Sequence, residues 1–585
     1  MKFLSNVFAV LIGLFIFSLF GFFFLAGLIS LTTAEDKVAI EDNTLLHMNL
    51  NNVVLMERTA DDNMNLSSFG LVPTANKIGL TNLKTAIKTA KNNDKIKGIY
   101  LEAGSVMANP AMLLELRNSL DDFKSSGKFI IAYSEYFSEN GYFLSSIADE
   151  LYMNPMGGLE FNGLSSEALF FKGLLEKLEI EPVIFRVGEY KSAVEPFILD
   201  QMSEANRKQT EEFLGDINQF AIKTISESRD INLEELQNIN EQMLIRKPQD
   251  AVDLGLIDGI WYDDQVKDLL REKMGIAENG KIKTINITGI NTTAKTENIT
   301  ASDRVAVIIA QGEIVSGKVE NALSSEIIAK EIKDARLDDN IKAIVLRVNS
   351  PGGSILASDV IWREMNEAKK VKPVIASMSE LAASGGYYIS APADTIVAQP
   401  NTITGSIGIF GMWFNAKGLL NNKLGITTDV AKTGEFSDFM NPTRALTEVE
   451  KNIIQNQIED GYDTFIQRVA DGREMSKEAV LEVASGRVWS GVQAKEKGLV
   501  DVLGGLEDAI EIAATKANIE DEYRVLYFPK QKNFIEQIMS ELGTDIEAKY
   551  MNYRFGESYQ MFQQIEKVKD MQGVMARMPF DVIIE

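Results

Sequence analysis

Cysteine is absent from this sequence, and histidine occurs once, as His47. The absence of thiols excludes disulfides, cysteine proteases, zinc–thiolate sites and iron–sulfur clusters. A single imidazole makes a transition-metal site unexpected, because such sites combine several nitrogen or sulfur ligands. No loop has the ligand spacing of a magnesium or calcium site, and no glycine-rich loop has the Walker pattern for nucleotide phosphates. We therefore expect neither a metal nor a cofactor.

Basic residues are also scarce. There are 59 lysines and arginines against 84 acidic residues, which gives a net charge of −25. A nucleic-acid partner is not expected, since phosphate contacts require a basic surface. The length of 585 residues and the hydrophobic fraction of 45% fit a globular protein of two or more domains.

One long apolar run lies near the N-terminus, from Phe8 to Leu31. As a helix it would measure about 36 Å, enough to cross the hydrocarbon core of a bilayer. Lys2 precedes the run, and Glu35 and Asp36 follow it, which predicts a cytoplasmic N-terminus with the remaining chain on the far side. Residues 1–34 are thus expected to form a single-pass anchor. A cleaved signal peptide is the alternative, but the run is longer than a usual signal-peptide core.

Residues 304–527 repeat residues 45–284. Ile96–Ile99 matches Ile341–Ile344, and the register still holds at Gly255–Asp258 and Gly498–Asp501. A period of this length indicates duplication of a whole domain. Both halves alternate β-branched runs with helix-spaced apolar residues, which predicts α/β half-domains with largely parallel sheets. The Thr/Asn-rich stretch 285–302 is the expected linker, and residues 528–585 are expected to form a helical, Met-rich tail.

The repeat is broken at two positions. Ser384, in Ala-Ser-Gly-Gly-Tyr of the second half, is replaced by Glu139 in the first half. Lys191, in Gly-Glu-Tyr-Lys of the first half, is replaced by Ser437 in the second half. Each half has therefore kept one of two reactive side chains, which predicts one active site built from both halves. Taken singly, the serine also fits a helix N-cap, and the lysine also fits a solvated surface residue.

Glycines supply the third element of this predicted site. Gly352 and Gly353 follow a strand in Asn-Ser-Pro-Gly-Gly, and Gly385 follows Ser384. Amide groups at such glycines can hold an oxyanion, because a glycine backbone can approach a ligand closely. The matching stretch of the first half, which begins at Gly104, lacks this pattern.

The choice of base follows from the composition. A serine nucleophile needs a base within hydrogen-bonding distance, and nothing near His47 resembles a nucleophile turn. A lysine can replace histidine where burial lowers its pKa. We therefore predict Ser384 as the nucleophile and Lys191 as the base.

Four motifs together resemble the signal peptide peptidase A family in its long, internally duplicated bacterial form. They are Tyr190–Phe197, Asn349–Gly353, Ala383–Tyr387 and Thr404–Gly408. The resemblance implies a ClpP/crotonase-like fold and a Ser-Lys endopeptidase in which Ser406 orients the lysine amine. It also implies cleaved signal peptides as substrates, a homotetramer, and a location in the bacterial inner membrane with the catalytic part on the periplasmic side.

Two other functions stay open from the residues alone. A crotonase-type acyl-CoA enzyme would share the oxyanion hole, but it would use carboxylates and has no reason for a membrane anchor. A membrane-tethered scaffold without catalysis would use the serine and the lysine only as structural residues.

Overall fold

The structure is a computed structural model that describes residues 12–21, 40–59, 76–294, 300–319, 322–530 and 573–578. Helix α1 covers residues 12–21. The strands of the first half are β1 Thr44–Asn49, β2 Val53–Met56, β3 Asn76–Gly79, β4 Ile96–Glu102, β5 Val106–Met107, β6 Phe129–Phe137, β7 Glu150–Leu159, β8 Glu181–Val187, β9 Gly259–Ile260 and β10 Lys283–Asn286. Its helices are α2 Leu80–Lys91, α3 Pro110–Lys124, α4 Glu139–Ser145, α5 Lys172–Leu178, α6 Glu195–Ile198, α7 Glu204–Arg229, α8 Leu233–Glu241, α9 Pro248–Asp253, α10 Asp263–Lys273 and α11 Ile287–Asn291.

The second half repeats most of this order of elements. Its strands are β11 Arg304–Gln311, β12 Ile314–Val315, β13 Leu323–Ser324, β14 Ile341–Ser350, β15 Gly352–Ser354, β16 Val374–Ala383, β17 Thr395–Ala398, β18 Ile403–Gly405, β19 Ile409–Asn415, β20 Val488–Ser490, β21 Val502–Leu503, β22 Arg524–Phe528 and β23 Gly573–Arg577. Its helices are α12 Ser325–Leu337, α13 Ile355–Lys369, α14 Gly385–Ser390, α15 Glu448–Arg473, α16 Lys477–Val483, α17 Gly491–Glu496 and α18 Leu506–Ala517.

Each half is built around its own parallel sheet. The order is β10-β1-β4-β6-β7-β9 in the first half and β20-β18-β16-β14-β11-β22 in the second, and only the β18–β20 pair is antiparallel. The central strands are mostly apolar and are buried on both faces, as the Ile-Val-Leu run of β14 shows. The prediction of two tandem α/β halves with largely parallel sheets is confirmed.

The duplication extends to single hydrogen bonds. The hydroxyl of Tyr142 donates to the carbonyl of Leu256 at 2.9 Å in the first half. The hydroxyl of Tyr387 donates to the carbonyl of Leu499 at the same distance in the second half. Equivalent buried tyrosines thus tie equivalent helices to equivalent loops, which only a common fold would produce.

A third sheet joins the two halves, in the order β13-β12-β15-β23-β19-β8. Strand β8 comes from the first half, and it pairs antiparallel with β19 of the second half from Ile409–Val187 to Asn415–Glu181. Since Lys191 lies four residues after the end of β8, this pairing carries the lysine across to the second half.

A buried cluster of charges also joins the halves. The Arg347 guanidinium, on β14, lies 3.0 Å from Glu57 Oε2 and 2.5 Å from Glu115 Oε1. Lys84 lies 3.2 Å from the second oxygen of Glu115. Burial raises the pKa of Glu115, but the charges of Arg347 and Lys84 outweigh burial and bring that pKa to about 2. Glu115 is therefore ionised in the interface and satisfied from both halves.

Two predicted boundaries differ from the structure. The linker expected at 285–302 begins inside the first half, because Ile285 extends β10 beside β1 and Ile290 of α11 is fully buried. The polar composition concealed these two core residues. The tail, expected to be helical, contains strand β23, since its backbone pairs with two strands distant in sequence. Residues 531–572 of the tail lie outside the described residues.

The expected membrane span is described only at residues 12–21, which are helical. The rest of the run from Phe8 to Leu31 lies outside the described residues. Within the parts of the chain that the structure describes, no helix is both long and apolar enough to cross a bilayer.

Candidate active site

Ser384 lies at the junction between strand β16 and helix α14. It is the N-cap residue of α14, with φ 54° and ψ −112°, and its N–H donates to the carbonyl of Gly405 at 2.8 Å. A positive φ is strained for any residue other than glycine, and such strain concentrates at functional sites. The side chain makes no capping hydrogen bond to the helix. Its hydroxyl is therefore directed away from the helix and toward the lysine.

Lys191 reaches this serine from the first half of the chain. Its side chain is fully buried, and Nζ lies 2.7 Å from Ser384 Oγ. The same nitrogen lies 3.0 Å from both the carbonyl oxygen and the hydroxyl oxygen of Ser406. The structure thus brings together the three side chains that sequence reasoning selected, although 193 residues separate Lys191 from Ser384.

The electrostatics of the lysine follow from its burial. Burial lowers the pKa of Lys191 well below its ordinary value, because the ammonium form loses its hydration. No carboxylate appears among its hydrogen-bonding partners, which are three oxygens of uncharged groups. A neutral amine has two N–H donors and one lone pair. If both oxygens of Ser406 take the donors, the lone pair faces the hydroxyl of Ser384.

The glycines form a tight layer beside the serine. Gly352 has φ 95° and Gly353 has φ 156°, both in the region that favours glycine. A Cβ placed on Gly352 would lie 2.6 Å from the amide nitrogen of Gly385. The close approach of these backbones thus depends on the missing side chains.

The three glycine amides are not equivalent. The N–H of Gly352 donates to Ser350 Oγ at 3.2 Å, so it is engaged within its own turn. The prediction of Gly352 as an oxyanion donor therefore needs correction: its backbone instead lies close to that of Gly385. The amides of Gly353 and Gly385 are left as the candidate donors.

Two further glycines contact the side chain of Lys191. Gly408 ends the motif Thr404–Gly408, whereas no motif in the sequence includes Gly486. A Cβ on Gly486 would lie 2.7 Å from the Cβ of Lys191, and Gly486 has φ +79°. A Cβ on Gly408 would lie 3.3 Å from the Cδ of Lys191. Since both contacts join positions far apart in sequence, no local pattern reveals them.

Polar side chains hold the turn that carries the lysine. Ser192 Oγ donates to Asn206 Oδ1 at 2.8 Å, and Gln209 Nε2 donates to the carbonyl of Tyr190 at 3.2 Å. Glu195 accepts hydrogen bonds from Ser203 and Asn206. Ser203, Asn206 and Gln209 lie at the beginning of the long helix α7. The first half of the chain therefore holds the backbone on both sides of Lys191 in place.

The counterparts in the repeat make no equivalent pair. The carboxylate of Glu139 accepts from the amides of Asn162 and Gly163 at 2.7 and 2.8 Å. Ser437 is exposed, and its hydroxyl bonds only within its own turn, to Gly434. His47 pairs with Glu102 on the sheet of the first half. Among the described residues, no group of three or more histidine or acidic side chains is arranged to hold a metal ion.

Family models and known proteins match the parts of the chain that form this site. The family model described as Peptidase family S49 matches residues 122–277 and 366–520, one match in each half, and the Clp protease model matches residues 296–404. Protease 4 of Salmonella typhi is 36% identical over 483 residues, which are 80% of this chain and 77% of that protein. Protease 4 of Haemophilus influenzae is also 36% identical, over 77% of this chain and 75% of that protein. Serine protease SPPA, chloroplastic, of Arabidopsis thaliana is 32% identical over 86% of this chain and 74% of that protein.

Proposed function

The chain belongs to peptidase family S49 and is a serine peptidase, and we propose that it cleaves peptide bonds with a dyad of Ser384 and Lys191. The observation that carries the proposal is the 2.7 Å contact between Lys191 Nζ and Ser384 Oγ in a fully buried setting. An acyl-CoA enzyme and a scaffold without catalysis receive no support from the relatives.

The proposed reaction is acyl transfer. Neutral Lys191 takes the hydroxyl proton of Ser384 while Oγ attacks the peptide carbonyl carbon. The amides of Gly353 and Gly385 donate to the oxygen that gains negative charge. The ammonium of Lys191 then protonates the leaving amine. A water molecule, deprotonated by the same lysine, finally releases the acyl group as a carboxylate.

Ser406 is proposed to orient the amine. Its hydroxyl and carbonyl oxygens lie at equal distances from Nζ, so both N–H groups of the neutral amine have an acceptor. Ser406 itself has φ 50°, and its N–H donates to the carbonyl of Arg487 at 2.7 Å. The backbone therefore fixes the position of the hydroxyl.

The test of the dyad compares four proteins against a fluorogenic apolar peptide. Wild type is expected to hydrolyse the peptide, and Ser384→Ala and Lys191→Ala are expected to lose hydrolysis. Ser437→Ala is the matched control, because it removes the exposed counterpart of the lysine, and it should keep the wild-type rate. A wild-type rate in either dyad variant would refute the mechanism.

We further propose cleaved signal peptides as substrates and a single-pass anchor at residues 1–34. The apolar run from Phe8 to Leu31 supports the anchor, and side chains on α1 such as Phe15 and Phe17 point outward, at 67% and 77% exposure. The implied location is a bacterial inner membrane with both halves in the periplasm. Extraction of membranes with alkaline carbonate should leave the full chain in the pellet and release a chain that starts at residue 40. Protease added to spheroplasts should degrade both halves.

We propose a homotetramer because equivalent segments of the two halves differ in how far they are exposed. In the first half, β8 pairs with β19 of the second half of the same chain, and Phe185 and Lys191 are buried there. Its counterpart, residues 418–440, instead exposes apolar side chains: Leu424 58%, Ile426 49%, Val430 43% and Phe436 41%. Exposed apolar patches of this kind mark interfaces. Docking of each such segment onto the first half of the next copy is a head-to-tail contact, which can close into a ring.

The oligomer is tested by light scattering after size exclusion. Wild type is expected at the mass of four chains, and a double variant with Ile426→Asp and Phe436→Asp at the mass of one. The exposed polar pair Lys417→Ala and Asp429→Ala provides the matched control. A monomeric wild type would contradict the proposal.

A further inference from the structure

Three consecutive residues of the second half, Ser485, Gly486 and Arg487, contact both sides of the candidate dyad, and we call them the bridging segment. The carbonyl of Ser485 accepts the N–H of Tyr190, the residue before the lysine, at 3.0 Å. The carbonyl of Arg487 accepts the N–H of Ser406 at 2.7 Å. One short segment thus holds the turn that carries the lysine and also the backbone of the serine beside the lysine amine.

The side chain of Arg487 ties the bridging segment to the first half. Its guanidinium pairs with the carboxylate of Glu212 on helix α7, and its Cζ atom lies 5.1 Å from the centre of the Tyr190 ring. The same atom lies 4.2 Å from the centre of the Trp489 ring. Only 21% of this side chain is exposed. A planar guanidinium can stack on aromatic rings while it pairs with a carboxylate, whereas a lysine ammonium is a compact point charge.

One face of helix α7 makes a row of contacts around this ion pair. Gln209, Glu212 and Asp216 are spaced so that their side chains lie on the same side of the helix. Gln209 Oε1 accepts the N–H of Val488 at 3.4 Å, and Asp216 Oδ2 accepts the hydroxyl of Ser490 at 2.6 Å. The pair between the arginine and Glu212 is therefore the middle contact of a row that attaches α7 to strand β20, directly after the bridging segment.

The repeat has a different residue at the position of the arginine in the first half. The register that holds at residues 498–501 places Leu244 opposite Arg487 and Met243 opposite Gly486. Met243 and Gly486 both have a positive φ, of 47° and 79°. Leu244 packs against the hydrophobic core of the first half. The loop thus keeps its shape in both halves, but only the loop that meets the lysine turn has the arginine.

The arginine has no contact with the reacting atoms, so its effect on catalysis must act through position. The hydrogen bonds of Lys191 Nζ go to Ser384 and Ser406. The amine comes from the first half and both serines come from the second half. Their separation therefore depends on how the bridging segment lies against the lysine turn. A displacement of about 1 Å at a catalytic group can lower a rate on the order of 100-fold.

We propose that Arg487 is a positioning residue for the dyad. By stacking on Tyr190 and pairing with Glu212, it fixes the bridging segment against the lysine turn, so that the amine stays within hydrogen-bonding distance of the nucleophile. This inference rests on the proposed Ser-Lys function, because it concerns the same amine and the same serine.

The experiment measures kcat and KM on a fluorogenic apolar peptide, together with urea unfolding of the same preparations. Arg487→Ala is expected to lower kcat by about 10- to 100-fold and to leave KM within about twofold of wild type, because it disturbs the dyad and not the peptide. Arg487→Lys keeps a charge for Glu212 but loses the planar stack, so its kcat should lie between those of the alanine variant and wild type. Arg336→Ala is the matched control. This arginine is also 21% exposed and pairs with Glu364 between α12 and α13, and its removal should leave kcat unchanged.

A double-mutant cycle tests the stacking contact itself. Tyr190→Ala should also lower kcat. The double variant with Arg487→Ala and Tyr190→Ala should be about as slow as the slower single variant, since both changes break the same contact. If the two losses multiply in full, the arginine and the tyrosine act independently, and the inference is wrong.

The remaining outcomes separate the inference from the proposed function. A wild-type kcat in Arg487→Ala, or a raised KM with an unchanged kcat, would overturn the inference and leave the proposed function standing. A loss of kcat no larger than the fraction of unfolded protein would show a purely structural role and would also overturn it. If Arg487→Ala does not fold, Arg487→Lys provides the same test, and a wild-type kcat in that variant contradicts the stacking role. A wild type that hydrolyses no peptide would end the proposed function and the inference together.

Discussion

Removal of the Ser406 hydroxyl tests how the lysine is aimed. In Ser406→Ala, the carbonyl oxygen at position 406 still accepts one N–H of Lys191, so the amine stays in the site. The second N–H loses its acceptor at 3.0 Å, and the side chain of Lys191 that carries it is fully buried. A buried donor left unpaired costs about 1–3 kcal/mol. The lone pair of the amine is then less firmly directed at Ser384.

The expected loss is intermediate in size. If the full cost falls on the transition state, 1–3 kcal/mol corresponds to a decrease in kcat/KM of roughly 5- to 150-fold. The KM should change little, because the proposed partner of the hydroxyl is Lys191 and not the peptide. The charged form of Lys191 also loses an acceptor, so the pKa of the lysine moves further down, and the acid limb of the pH profile should not shift upward.

The assay is steady-state hydrolysis of a fluorogenic apolar peptide from neutral to alkaline pH. Ser437→Ala is the matched serine control and should behave as wild type. A full rate in Ser406→Ala would refute the orienting role. A loss as complete as that of Ser384→Ala would mean that Ser406 does more than orient the amine.

Four further predictions follow from buried contacts. The rate of peptide hydrolysis should rise with pH around a midpoint well below that of free lysine, because burial lowers the pKa of Lys191 and only its neutral form accepts the serine proton. Between the lowered and the ordinary pKa the unfolded chain binds more protons, so the free energy of unfolding should rise with pH there and fall as pH drops toward the lowered pKa. Arg347→Met should lower the free energy of unfolding in urea by about 3–5 kcal/mol, because it leaves Glu57 buried without its cation and Glu115 paired with Lys84 alone. Gly486→Ala should lower kcat on the order of 100-fold in peptide hydrolysis, since its methyl group would displace Lys191.

Three of these predictions have controls. A Lys191→Met variant should lose the pH-dependent part of the stability contributed by the lysine, and an unchanged slope would argue against a depressed pKa. Adding Glu57→Gln and Glu115→Gln to Arg347→Met should restore most of the lost stability. Gly498→Ala, at another positive φ but with open space around it, should keep its catalytic rate. Equal losses at Gly486 and Gly498 would show that backbone strain, and not contact with the lysine, is the cause.

Much of the candidate site could be predicted from the sequence because the two halves of the chain can be compared with each other. Two copies of one fold reveal which residues differ, and Ser384 and Lys191 stand out where Glu139 and Ser437 do not match them. Because the sequence has no cysteine and only one histidine, lysine is the remaining candidate for the catalytic base. The linker and the tail were harder to predict. Their composition does not reveal that Ile285 and Ile290 are buried in the core, and it does not indicate strand β23.

By itself, then, the sequence determined the duplication, the α/β class of both halves and the residue types of the predicted dyad. Only the tertiary structure decided how those residues meet. Strand β8 crosses into the sheet of the second half, Ser406 takes two hydrogen bonds from one amine, and strand β23 of the tail pairs with β15. These contacts join residues hundreds of positions apart, and they depend on burial and backbone pairing, which local periodicity does not encode.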